Sequence, residues 1–144
     1  MPKKNAKNKR GDAERAAEWY AHEIHKCVVT CRAVRTQWQR QDLFGCDVMG
    51  KKSDGSCVYI QATAGQYSAV TARRRKLEVI PWLGSDIIEI VQLIQTEDPA
   101  NARRKLWFFR VHFFDGGKWH TKEEAVTVPN QWFKSYKLAH KKED

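Results

Sequence analysis

Near the start of the chain apolar residues recur at intervals of three and four, at Ala13, Ala16, Ala17, Tyr20 and Ile24. That spacing lines them up on one stripe of a helix. Asp12 is placed to cap its first turn, and its end is expected near Lys26. From Cys27 the period changes: Val28, Val29, Thr30 and Val34 are β-branched, and residues 27–35 predict a strand. The polar stretch 36–44, with Trp38 in its middle, reads as a loop. Residues 45–50 and 56–63 read as two strands around a turn with Asp54-Gly55 at its tip, hence a hairpin. Gly65 breaks the chain, Ser68 can cap a second helix with Val70, Leu77 and Ile80 inward, and Pro81 stops it. Residues 87–94 are apolar and β-branched, 97–101 form a turn, 105–114 make a long aromatic strand, and 118–120 a last strand or edge.

The order is therefore helix, three strands, helix, two or three strands. It predicts an α/β layer fold, a mixed central sheet flanked by helices. A length of 144 residues suits one domain. We divide the chain into a basic, disordered arm (1–10), a single domain (11–133) and a charged tail (134–144).

Charge adds the first functional constraint. The formal net charge is +9, which favours polyanionic partners, nucleic acid before membrane surfaces. The basic N-terminus has no apolar segment behind it, so it is not a secretory signal. No apolar run is long enough to span a bilayer, and a cytoplasmic location is expected. Cys27, Cys31, Cys46 and Cys57 are expected as free thiols. His22 and His25 precede Cys27 and Cys31, but the spacing lacks the paired ligands of a structural zinc site. Cys27 and Cys31, four apart on a strand, are expected on one face.

The hairpin carries the candidate chemistry. Alternation along a strand sends Ile60 and Ala62 to one face and Gln61 and Thr63 to the other. The apolar pair belongs in a core, so the polar pair faces something wet or catalytic. Asp47, between Cys46 and Val48, is a residue type disfavoured in strands; a metal or a hydrogen-bond donor accounts for such a placement. Each of these residues also has an ordinary reading. Glu14 can be a solvated helix residue, Asp47 a turn cap, Gln61 and Thr63 plain strand residues, and Arg73 to Lys76 a solvated face. Their joint order is what points further.

Gly11-Asp12-Ala13-Glu14-Arg15-Ala16, Phe44-Gly45-Cys46-Asp47-Val48-Met49 and Val58-Tyr59-Ile60-Gln61-Ala62-Thr63 together resemble the PD-(D/E)xK nucleases, in particular the archaeal and phage Holliday-junction resolvases. The resemblance covers roughly residues 11–80. It implies a restriction-endonuclease-like core in αβββαβ order and a Mg²⁺- or Mn²⁺-dependent endonuclease acting on DNA, branched DNA above all. Glu14, Asp47 and Gln61 would be the metal-binding and catalytic positions, and a homodimer would set two sites on two strands. The setting implied is viral or prokaryotic and nucleoid-associated. Two positions depart from the pattern: Gln61 stands where the second acid is expected, and Thr63 where the lysine is expected. Glutamine offers Mg²⁺ an oxygen but no charge. The missing cation is sought on the second helix, at Lys76 or Arg73. DNA contacts are expected from Arg10, Arg35, Arg40, Lys51, Lys52, Arg73, Arg74 and Arg75, with Trp38 stacking on an unpaired base. The alternative is a DNA-binding protein of the same fold that no longer cleaves.

Overall fold

A computed structural model of the chain describes residues 6–35, 40–41, 43–64 and 67–129. The elements are α1 (Ala6–Glu23), β1 (Cys27–Arg32), β2 (Val34–Arg35), β3 (Arg40–Gln41), β4 (Val48–Lys52), β5 (Cys57–Thr63), α2 (Tyr67–Glu78), β6 (Ile87–Asp98), β7 (Asn101–Asp115), β8 (Lys118–Thr121) and β9 (Val126–Val128). The described residues form an α/β fold with a mixed, mainly antiparallel central sheet and two helices. Strand order is β1-β4-β5-β6-β7-β8, with β9 also paired to β7, and β2 and β3 form a separate two-stranded ribbon. Among the described strands only β5 and β6 run parallel, and α2 is the crossover between them, as a parallel pair requires.

The two faces of the sheet have different cores. On one, Ala13, Ala16, Ala17 and Tyr20 of α1 pack against Val48, Val58, Ile60, Ala62, Val91, Leu93, Phe109 and Val111. The alanines let the helix axis approach the strands closely. On the other face, Val70 and Leu77 of α2 pack with Tyr59, Ile88 and Ile90.

Several boundaries differ from those read in the sequence. The first helix starts at Ala6, inside the stretch expected as an arm, and buried Asp12 lies in its interior, so Asp12 is not its cap. The residues before it, Lys7, Lys9 and Arg10, are good helix formers and simply extend the turn. At its other end Lys26 takes a left-handed conformation (φ 58°), which reverses the chain and leaves Ile24 exposed. Cys27 and Cys31 do not share a face: Cys27 is buried and Cys31 exposed. A bulge between Cys27 and Val29 inserts one residue and inverts the alternation beyond it. Lys51 and Lys52, read as part of a turn, end β4. The strand β9, only three residues long, carries too short a pattern to be read in advance.

Candidate functional site

Asp47 lies at the entry to β4 and is almost fully buried. Its amide donates to the Ile60 carbonyl at 2.9 Å, and its own carbonyl accepts from Ala33 at 2.8 Å. Its carboxylate Oδ2 accepts the Ala62 amide at 2.8 Å, so the side chain completes the sheet ladder where the backbone of β4 has run out. One structural reason for an aspartate here is thus plain: it satisfies a buried donor. Pairing of Val48 with Ile60, continued one residue back, sets Asp47 across from Gln61.

Gln61 and Thr63 are buried and, by alternation with the Ile60 and Ala62 of the α1 core, point to the α2 face. That was the division expected from the sequence. The register extends this polar surface across the sheet. Gln61 neighbours Ile90, Ile90 neighbours His112 and His112 neighbours Thr121, while Thr63 neighbours Gln92. Buried Gln61, Thr63, Gln92 and His112 therefore share one face beneath α2.

Hydrogen bonding fixes the protonation of His112. Arg74 Nη2 lies 3.1 Å from His112 Nδ1, and a guanidinium can only donate. Nδ1 is therefore the acceptor, also within 2.9 Å of the Thr121 hydroxyl. The ring proton belongs on Nε2, which donates to Gln92 Oε1 at 3.3 Å. Burial first, and then the positive charges of Arg74 and Arg110, push its pKa down to about 4. The unfolded chain takes up this proton below the ordinary value of 6.5, while the folded chain does not until about 4. Stability is accordingly full above 6.5 and falls as pH drops from 6.5 toward 4, by about 3 kcal/mol from this group. His112→Gln, which keeps a donor and an acceptor but does not titrate, is expected to remove that part of the slope in urea unfolding at pH 7 and pH 4.5. An unchanged slope would contradict the assignment.

The basic helix does not present its charges as expected. Val70, Arg73, Arg74 and Leu77 occupy the inward stripe of α2: Val70 and Leu77 are buried and the two arginines half-buried. Arg73 Nη1 donates to the Ala69 carbonyl at 3.3 Å. Arg74 lies 5.8 Å over the Trp119 ring. Lys76 and Arg75 are exposed, and Lys76 runs along Gly45, its Cε 3.8 Å from where a Cβ would stand. Helical geometry explains this, since positions three and four after Val70 share its face and position six does not. The α2 cations over the polar face are therefore Arg73 and Arg74, beside Arg110 of β7, which pairs with Gln92, and Lys76 lies to one side.

Three buried polar atoms on this side lack a hydrogen-bond partner among the described residues: Gln61 Oε1, Arg74 Nε and Trp119 Nε1. One is an acceptor and two are donors. Buried groups of this kind cost about 1–3 kcal/mol each when nothing answers them, so each is a point where a ligand's polar atom would be welcome.

The other expected positions scatter. Glu14 is half-buried on α1, whose core face covers Ile60 and Ala62, opposite to that of Gln61. Among the described residues no three His, Cys, Asp or Glu side chains form a metal-binding group. Lys51 and Lys52 end β4, at the far end of that strand from Asp47. Trp38 lies outside the described residues, as do the side chains of Arg10, Arg35 and Arg40. Both ring nitrogens of His22 are engaged, Nδ1 with the Cys27 carbonyl at 3.0 Å and Nε2 with the Thr30 hydroxyl at 2.9 Å.

A second polar cluster was not anticipated. Glu89 of β6 is 1% exposed on the α1 face, where it pairs with His25 Nε2. Its Oε2 accepts from the Tyr20 hydroxyl at 3.4 Å and lies 3.5 Å from Lys122 Nζ. Lys122 also donates to the Tyr20 oxygen at 3.2 Å. Burial, reinforced by the charge of Glu89, raises the Tyr20 pKa and keeps the phenol protonated. The one visible signal was Glu89 itself, a lone acid inside Ile87-Ile88-Glu89-Ile90-Val91.

No helix among the described residues is long and apolar enough to cross a membrane. No family model, curated protein or solved structure matches the chain.

Proposed function

We propose that the protein is a small metal-dependent DNA endonuclease of the PD-(D/E)xK type, with its site on the α2 face around Asp47, Gln61 and Thr63. The single observation that carries this reading is the buried, unanswered Oε1 of Gln61, across the hairpin from the carboxylate of Asp47. Two oxygens so placed suit a hard divalent cation, Mg²⁺ or Mn²⁺. The strand and helix order, with a parallel crossover directly after the hairpin, agrees with a restriction-endonuclease-like core. Glu14, on the opposite helix, would join the site only around the open end of the sheet.

Such an ion, held by Asp47 and Gln61, would activate water and polarise the scissile phosphate. The chain's own contribution is electrostatic. Arg73 and Arg74 replace the motif lysine that Thr63 cannot supply, and the unanswered Nε of Arg74 and Nε1 of Trp119 offer donors to a phosphate oxygen. Exposed Arg75 and Lys76 extend the positive surface along the DNA backbone. The neutral Gln61 makes the ion weaker-held than in a site with two carboxylates. Branched DNA as substrate, a two-fold dimer and a viral or nucleoid setting follow from the resemblance.

A specific observation favours a second reading, a protein that binds DNA without cutting it: the two strand positions that would carry the acid and the lysine are both uncharged. A cleavage panel of four-way junctions, flaps, duplex and single strands with Mg²⁺ or Mn²⁺ separates the readings. Metal-dependent cutting is expected. Tight binding with no cutting selects the second reading, and neither binding nor cutting overturns both.

A further inference from the structure

The turn that leads into the Asp47 strand is built in an expensive way. Leu43 and Cys46 bridge each other, the Leu43 amide bonding the Cys46 carbonyl at 3.3 Å and the Cys46 amide the Leu43 carbonyl at 3.0 Å. The two residues between them, Phe44 (φ 55°) and Gly45 (φ 80°), are both left-handed. This is a two-residue turn of the primed kind, for which Asn-Gly is the favoured sequence. Glycine fits at the second position. A bulky phenylalanine at the first is strained, and the residue is 63% exposed, so the position carries an unfavourable backbone and a largely unburied apolar side chain together. The backbone strain works against the fold. Strain of this sort collects at functional sites.

The ring is held firmly from behind. It meets Tyr59 edge-on at 6.1 Å, Tyr59 packs on Trp82 at 4.7 Å, and Trp82 is pinned by its Nε1 donating to the Leu77 carbonyl at 2.9 Å. The turn is butted against the end of α2, with Leu77 and Ile80 within 3.7 Å of the Gly45 Cβ position and Lys76 Cε at 3.8 Å. Exposed Phe44 thus stands three residues before buried Asp47, and exposed Lys76 lies along the glycine that follows it.

We infer that Phe44 is a base-stacking residue: it presents its ring to an unpaired nucleobase of bound DNA while Lys76 takes the neighbouring phosphate. A base offers a flat π-face and a phosphate within one nucleotide's reach, which suits an exposed ring whose neighbouring glycine lies along an exposed lysine. The inference rests on the DNA reading above and adds to it a preference for unpaired positions.

The test uses the full chain and two DNAs, a matched duplex and the same duplex with one bulged 2-aminopurine. Wild type should bind the bulged DNA more tightly and quench the fluorescent base. Phe44→Asn should lose about tenfold in affinity for the bulged DNA, lose the quenching, and bind matched duplex within twofold of wild type. Its melting temperature should be equal to or above that of wild type, because asparagine suits the turn. Phe44→Tyr should keep quenching and preference. If wild type binds neither DNA, the DNA reading itself fails. If wild type binds both and Phe44→Asn keeps the quenching and the bulge preference, the stacking role alone is overturned, as it is if Phe44→Asn melts well below wild type or if Phe44→Tyr loses the bulge preference.

Discussion

Glu89→Ala is expected to destabilise the protein by about 3 kcal/mol, a loss read as a fall in the free energy of urea unfolding at neutral pH. Glu89 is 1% exposed and answers three groups from two other parts of the chain: Tyr20 and His25 at the end of α1, and Lys122 after β8. Removing the carboxylate leaves the Tyr20 hydroxyl and His25 Nε2 without their acceptor in an otherwise apolar core. It also opens a cavity between α1 and the sheet. Lys122, whose side chain is 37% exposed, can turn to water, which keeps the loss near the lower end for a broken buried pair. Glu89→Gln, which preserves the volume and one acceptor oxygen, should lose less than half as much. A loss below 1 kcal/mol for Glu89→Ala would show that the cluster does not tie α1 to the sheet.

The second large effect is expected on DNA binding. Arg73→Gln with Arg74→Gln should weaken DNA affinity about 10- to 100-fold at physiological salt, and should flatten the dependence of log K on log salt by about 2, the value for two lost phosphate contacts. The reason is their place on the inward stripe of α2 beside Val70 and Leu77, above the polar row of Gln61, Thr63, Gln92 and His112. Arg74 stands close enough to His112 to hold its pKa down, and a cation kept there is costly unless a counter-charge arrives with the ligand. Arg73→Lys with Arg74→Lys keeps the charge and should keep most of the salt slope while losing the planar, two-pronged grip on phosphate. Unchanged affinity and slope in the glutamine variant would remove the α2 face from the DNA-binding surface.

Strand alternation made the polar face of the hairpin legible in advance. Ile60 and Ala62 belong to the α1 core and Gln61 and Thr63 face α2, because a period of two leaves no other arrangement once one pair is buried. Hydrophobic periodicity also located both helices and the hairpin. The failures have local physical causes. A bulge at Cys27–Val29 adds a residue without any change in residue type, so the faces of β1 were assigned with the wrong parity beyond it. Arginines on an inward helical stripe look like surface residues to any reading based on polarity, although counting three and four from Val70 would have found them. Glu89 and His112 were absorbed into apolar and aromatic runs, since a strand buried on both faces reads as continuous hydrophobic sequence and a single polar residue in it is easily passed over. The left-handed Phe44 had no signal at all, because phenylalanine is not a residue from which a primed turn is expected.

Cleavage with and without the Asp47 charge tests the central claim most directly. Asp47→Asn retains an oxygen for the Ala62 amide, now 2.8 Å from Oδ2, so the variant is expected to fold, which its melting temperature checks. The proposed cation and phosphate chemistry would lose the carboxylate across from Gln61. With labelled junction, flap, duplex and single-stranded DNA in Mg²⁺ or Mn²⁺, wild type is predicted to cut at least one substrate and Asp47→Asn to cut it at least about 100-fold more slowly. Equal metal-dependent cutting by the folded variant would contradict the account.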